Sequence, residues 1–186
     1  VKEGAKVEDA ELGNTNDLDS KNIETVFMPV ACMHCEKAPC EPVCPVYATY
    51  HTEEGLNAMI YNRCVGTRYC SNNCSYKVRR FNWYEFDFPA PLDLQLNPDV
   101  MKRTAGVMEK CTFCVQRISE ARADATHENR TLKGIDVTTA CQDSCGSNAI
   151  YFGDINDKES EFYKYRNHEL GYYALEELNV KPNVTY

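Results

Sequence analysis

The sequence has 186 residues, 11 of them cysteine, and a formal net charge of −8. The acidic balance, with a pI near 5.1, argues against a nucleic-acid-binding face, which needs clustered basic charge, and no apolar run approaches the ~20 residues that span a bilayer. The odd cysteine count and the C-x2-C pairs argue against a complete disulfide framework, and a mean hydropathy of −0.53 implies that something besides apolar packing holds the chain together.

Residues 1–24 are acidic and read as a lead-in segment. No secretory signal is visible there, and the start at Val1 suggests a processed chain or a piece of a longer one. Residues 25–32, "TVFMPVAC", read as a strand entering the first cysteine motif, and residues 56–62, "LNAMIYN", as a strand entering the next. The basic run "YKVRR" over 76–80 reads as a solvated strand edge, and residues 78–86 alternate as a strand does. Residues 88–100 hold three prolines and read as an insertion loop. Residues 115–130 are helix-like, with Val115, Ile118, Ala121 and Ala125 on one face; residues 148–154 form a further expected strand and 159–170 a short helix. The tail to Tyr186 is mixed and polar, suited to wrapping over a surface.

Four cysteine groups carry the chemistry. They are "CMHCEKAPCEPVCP" (Cys32, Cys35, Cys40, Cys44, then Pro45), "CVGTRYCSNNC" (Cys64, Cys70, Cys74), "CTFC" (Cys111, Cys114) and "CQDSC" (Cys141, Cys145). In bacterial ferredoxin runs the last cysteine before proline ligates the other cluster of a pair. Applied here, Cys32, Cys35, Cys40 and Cys74 hold a 4Fe–4S cluster. Cys44 crosses over to join Cys64 and Cys70. The fourth position of that second set is Thr67, a poor iron ligand, so three thiolates suit a 3Fe–4S cluster. Cys111, Cys114 and Cys141 form a split three-ligand set for a third cluster, with Cys145 the crossing cysteine of a fourth. No unused cysteine remains to complete these. Either those ligands lie outside this sequence or the last four cysteines gather around a single ion; a C-x2-C plus C-x3-C set also suits structural zinc. Strand, cysteine motif and short helix recur around 32–50 and 64–78, a weak internal repeat.

The stretches "CMHCEKAPCEPVCPV", "NRCVGTRYCSNNCSYKVRRFNW", "GVMEKCTFCVQRI" and "ACQDSCGSNAIYFGD" resemble the iron–sulfur subunits of the molybdopterin oxidoreductase superfamily, such as those of polysulfide, dimethyl sulfoxide and nitrate reductases. The likeness covers about residues 25–157 and is greatest to the iron–sulfur domain of alternative complex III, a bacterial quinol oxidase complex. It implies an α+β, ferredoxin-like iron–sulfur domain over 25–157 with pseudo-two-fold repeats and many loops, followed by an appended C-terminal helix and tail over 158–186. It also implies a further upstream cysteine motif that completes two of the clusters, giving three 4Fe–4S clusters and one 3Fe–4S cluster in all. The partners implied are an integral-membrane quinol-binding subunit, a catalytically silent molybdopterin-type domain and cytochrome c subunits, on the periplasmic face of the inner membrane. Ser75 and Gly146 stand where this family usually has proline, which puts the local backbone geometry, not the ligands, in question.

No organic catalytic constellation is present, so electron conduction is the expected function. The alternatives are the electron-transfer subunit of a true molybdenum reductase and a zinc-binding interaction module. His34 is expected to hydrogen-bond or pack near a cluster, and His127 and His168 to lie on the surface. Tyr47, Tyr61, Phe81, Trp83 and Tyr84 are expected to form an apolar shell that limits solvent access. The assignment of Thr67 to a ligand-free corner is testable. A 3Fe–4S centre gives a signal near g of about 2 in oxidised material; Thr67→Cys is expected to abolish it by converting the centre towards 4Fe–4S, and to impair quinol oxidation.

Overall fold

The computed structural model describes residues 27–186; the acidic lead-in over 1–24 lies outside them. Residues 31–186 make one compact unit of two small antiparallel hairpins and four short helices joined by long loops. Few helices and small sheets are what a ferredoxin-like domain offers, since its cysteine loops, not its sheets, carry the interior.

Strand β1 (Thr49–His51) pairs with β2 (Asn57–Met59) in the register Thr49↔Met59, Tyr50↔Ala58 and His51↔Asn57. The turn between them uses Gly55 at φ +84°, a conformation that costs glycine nothing. Thr52 Oγ1 also accepts the Leu56 N–H at 3.0 Å there. Alternation and register put Thr49, His51, Asn57 and Met59 on one face. Two of those four, Thr49 and Asn57, are buried polar residues.

Helix α1 (Tyr69–Asn73) carries Cys70. Strands β3 (Arg80–Phe81) and β4 (Met108–Glu109) pair as Arg80↔Glu109 and Phe81↔Met108. The proline-rich segment between them has a single 3-10 turn, Leu92–Gln95. Helix α2 (Val115–His127) buries Ile118, Ala121 and Ala125, the face set by their 3- and 4-residue spacing; Val137, Phe113 and Phe152 pack around it. Helix α3 (Ala140–Asp143) is capped by Thr139, and α4 (Glu161–Arg166) by Ser160, whose Oγ accepts the Tyr163 N–H at 3.2 Å.

Several expected strands do not form. Of the strand expected over 25–32, the described residues 27–32 have no strand pairing, nor do 148–154, and the 78–86 strand shrinks to Arg80–Phe81. The physical reason is local. Beside a cysteine motif the backbone turns towards the thiols and has no partner strand. One such turn recurs three times. The N–H three residues after Cys44, Cys74 and Cys145 donates to that cysteine's carbonyl at 3.2, 3.2 and 3.0 Å. The donors Tyr47, Lys77 and Asn148 all have positive φ, between 51° and 55°. Proline follows only the first of these cysteines, so Ser75 and Gly146 leave the turn intact.

The main core contains Met33, Cys35, Ala38, Cys40, Cys70, Met108 and Val180. The C-terminal tail closes it as a strap. Glu36 and Lys37 N–H donate to the carbonyls of Lys181 and Val180, and the Asn183 N–H to Met33 O; Asn183 Nδ2 donates to His34 O at 2.8 Å. The expected aromatic shell is not formed as such: Tyr47, Trp83 and Tyr84 are each more than 60% exposed, and small or sulfur-bearing residues take their place. Trp83 instead stacks under the Arg68 guanidinium, 4.9 Å from the ring centre.

Gly66 is fixed by close approach. A Cβ there would lie 2.3 Å from the Gly106 carbonyl oxygen and 2.9 Å from the Phe81 ring, and φ is +72°. Gly66→Ala is expected to lose about 2 kcal/mol of stability or more, measured as a lowered urea midpoint at unchanged m-value.

Candidate functional site

All 11 cysteines are free thiols. Five of them, Cys32, Cys35, Cys40, Cys70 and Cys74, are buried. The structure gathers seven around two cavities. The first is lined by Cys32, Cys35, Cys40 and Cys74, with Met33, Tyr76, Arg79 and Val180 among the walls. The second is lined by Cys44, Cys64, Cys70 and Thr67, with Thr49, Met59 and Met108. These are the two groupings read from the sequence, and Thr67 stands beside the three thiols of the second. Among the described residues, no group of three or more His, Cys, Asp or Glu is placed to hold a single metal ion.

Electrostatics reproduce the grouping. Burial pushes the Cys35 thiol up to about 12, with Cys32, Cys40 and Cys74 adding to the effect. Burial also raises Cys70, partly offset by Arg79, with Cys64 and Cys44 adding to it. Crowded, dehydrated thiols of this kind resist ionising alone and gain from a cationic metal core that accepts their charge. Cys44 differs. Burial raises it, but the N–H groups of Ala48, Val46 and Thr49 outweigh that and lower it; the Ala48 N–H lies 3.2 Å from its sulfur. Backbone donors aimed at a sulfur stabilise the thiolate form.

The third group is looser. The Ala140 N–H reaches Cys114 Sγ at 3.3 Å, which brings the start of α3, and so Cys141, to the C-x2-C pair. Burial raises Cys111, and Cys32 and Cys114 are close enough to add to this. Cys141 is exposed and Cys145 lies on the far side of α3. Cys145 is stabilised as thiolate first by the Ser147 hydroxyl and then by the Ala149 N–H.

His34 joins the first motif to the third. It is 1% exposed. Its Nδ1 accepts the Asn57 N–H at 3.1 Å, so Nε2 carries the proton and donates to Cys111 O at 3.0 Å. Its ring stacks on Phe113 with centres 3.8 Å apart. Burial, then the Lys110 charge, hold it down to about 3, so it stays neutral. It is a bracing residue, not an iron ligand. His127 and His168 are exposed.

Arg79 overturns the reading of "YKVRR" as a solvated edge. Its neighbour Arg80 is exposed, but Arg79 is only 2% exposed. Its Nη1 donates to Thr49 Oγ1 at 3.0 Å and its Nη2 to Asn57 Oδ1 at 2.7 Å. Asn57 Nδ2 in turn donates to Glu41 Oε1 at 2.7 Å and approaches Cys40 Sγ at 3.6 Å. The sequence does carry a signal for this network. Asn57 interrupts the apolar run "LNAMI", and pairing places it on the face that also holds Thr49.

A family described as a 4Fe-4S dicluster domain matches residues 23–88, the stretch that supplies the thiols of both cavities. The chain is 40% identical over 180 residues to the menaquinone reductase iron–sulfur cluster-binding subunit of Nitratidesulfovibrio vulgaris, covering 95% of this chain and 70% of that one. It is 37% identical over 168 residues to a putative dimethyl sulfoxide reductase iron–sulfur subunit of Halobacterium salinarum, covering 90% of this chain and 57% of that one. It is 35% identical over 173 residues to the Hdr-like menaquinol oxidoreductase iron–sulfur subunit 1 of Archaeoglobus fulgidus, covering 91% and 60% respectively. The chain thus spans somewhat over half the length of the latter two.

His34→Ala leaves the Asn57 N–H without its acceptor, takes one of two donors from the Cys111 carbonyl, which keeps Lys110 Nζ at 2.9 Å, and opens a void. The expected cost is roughly 3 kcal/mol, read by chemical denaturation of the cluster-free protein.

Proposed function

The chain belongs to the family of iron–sulfur cluster-binding subunits of oxidoreductase complexes, and from that premise we propose that it is an electron-transfer subunit serving a membrane quinone or quinol partner. The observation that carries this reading is the pair of cavities, one walled by four thiols and one by three thiols and Thr67. Cys32, Cys35, Cys40 and Cys74 hold a 4Fe–4S cluster in the first. Cys44, Cys64 and Cys70 hold a 3Fe–4S cluster in the second, with Thr67 at the ligand-free corner. When bound, such clusters supply one-electron transfer over a wide range of potentials.

The chain's own residues do the rest. Met33, Ala38, Val180 and Met108 keep water from the sulfurs. The N–H groups behind Cys44 hold its sulfur as thiolate. Cys111, Cys114 and Cys141, and Cys145 beyond them, are half-sites for two further 4Fe–4S clusters completed by cysteines outside this sequence. Among the described residues no helix is long and apolar enough to cross a membrane; the proposal assigns quinol chemistry to a partner subunit.

Two finer readings divide on the partner. An alternative complex III-type assembly, with a silent molybdopterin-type domain and cytochrome c subunits on the periplasmic face, is favoured by Thr67. A molybdenum reductase is favoured by likeness to proteins named as dimethyl sulfoxide and selenate reductase subunits. Molybdenum content of the purified complex separates them.

Selective loss of centres tests the core proposal. Cys74→Ser is expected to remove the first centre and spare the g of about 2 signal, and Cys64→Ser to do the reverse, with iron falling in each. Equal loss of both centres in either variant, or absorbance near ~400 nm missing from the parent protein, contradicts the assignment.

A further inference from the structure

Resting on the two-cluster reading above, we propose that Arg79 is the shared counter-cation of the two centres and raises the reduction potential of both. Its position makes the case. The guanidinium is a wall of the first cavity. From there it donates to Thr49 Oγ1 at 3.0 Å and lies 3.8 Å from Met59 Sδ, both walls of the second cavity. It is also linked to the Cys40 sulfur of the first set through Asn57, at 2.7 and 3.6 Å for the two contacts. Cys70, of the second set, is near enough for its charge to interact with that of the guanidinium. The hairpin explains this siting: Thr49, Asn57 and Met59 share one face of β1–β2, and that face floors the partition between the cavities.

The energetics point to charge, not merely to bracing. A buried guanidinium needs a compensating anion. Among the described residues no carboxylate forms a salt bridge with Arg79, and its oxygen partners, Thr49 and Asn57, are neutral. The nearest carboxylate in its network, Glu41, is reached only through Asn57, so the direct compensation comes from the cluster-ligating sulfurs once a centre is bound. A fixed cation beside an iron–sulfur centre stabilises the reduced, more negative state over the oxidised one, and does so strongly where water is excluded. One cation between two centres acts on both in the same direction.

The test is an EPR-monitored redox titration of the full-length protein in its assembled complex, with iron quantified in each sample. Arg79→Gln is expected to cut the reduced-to-oxidised ratio at a fixed ambient potential at least tenfold at both centres, equivalent to about 59 mV for a one-electron couple. Arg79→Lys keeps the charge and is expected to stay within about threefold of the parent, as a pure hydrogen-bonding role would not allow. An iron-loaded Arg79→Gln in which either centre keeps its potential overturns the proposal, as does an Arg79→Lys that shifts as far as Arg79→Gln. If Arg79→Gln takes up no iron, Arg79→Lys decides: parental potentials uphold the shared-cation role and a tenfold fall at either centre overturns it. Absence of iron from the parent protein overturns the cluster reading itself, and is told apart from the other failures by the iron count.

Discussion

Thiols occupy the place where a domain of this size would put aliphatic side chains. The main core includes Cys35, Cys40 and Cys70 alongside Met33, Ala38, Met108 and Val180, and thiols line both of the cavities. The buried thiols also resist ionisation unless something takes their charge. An iron–sulfur cluster answers that demand by supplying positive charge. The scarcity of regular structure follows, because cluster-binding loops tied to a metal core need less sheet or helix to fix them.

What does fix the loops is a small set of buried polar residues. His34 ties the first motif to Cys111 and Phe113. Asn57 and Thr49 hold Arg79 between the cavities. The C-terminal strap closes over the first motif through Lys181, Val180 and Asn183. Each of these contacts joins segments far apart in sequence, so the geometry of the sulfurs is set cooperatively and not by any single loop.

The spacing of the cysteines was legible in the sequence, and the crossing rule divides them into the sets that line the two cavities; their roles as cluster ligands are part of the proposal. Helix α2 was legible through Ile118, Ala121 and Ala125. Strands were read less well. The apolar stretches at 27–32 and 148–154 lead into or out of cysteine turns, where local hydrogen bonds replace a ladder. Arg79 was misread because a basic run ordinarily faces solvent; its burial depends on Thr49 and Asn57, which only strand pairing brings together. Exposure of Tyr47, Trp83 and Tyr84 was equally hidden, since aromatic content says nothing of which surface a partner covers.

The claim on which everything rests is that each cavity holds its own polynuclear iron centre. An anomalous difference map recorded at the iron absorption edge, from crystals of the intact complex, tests it most directly. The account predicts two separate multi-iron peaks, one enclosed by Cys32, Cys35, Cys40 and Cys74 and the other by Cys44, Cys64 and Cys70, with no iron beside Thr67. A single-atom peak shared among these thiols, or no iron signal between them, would contradict it.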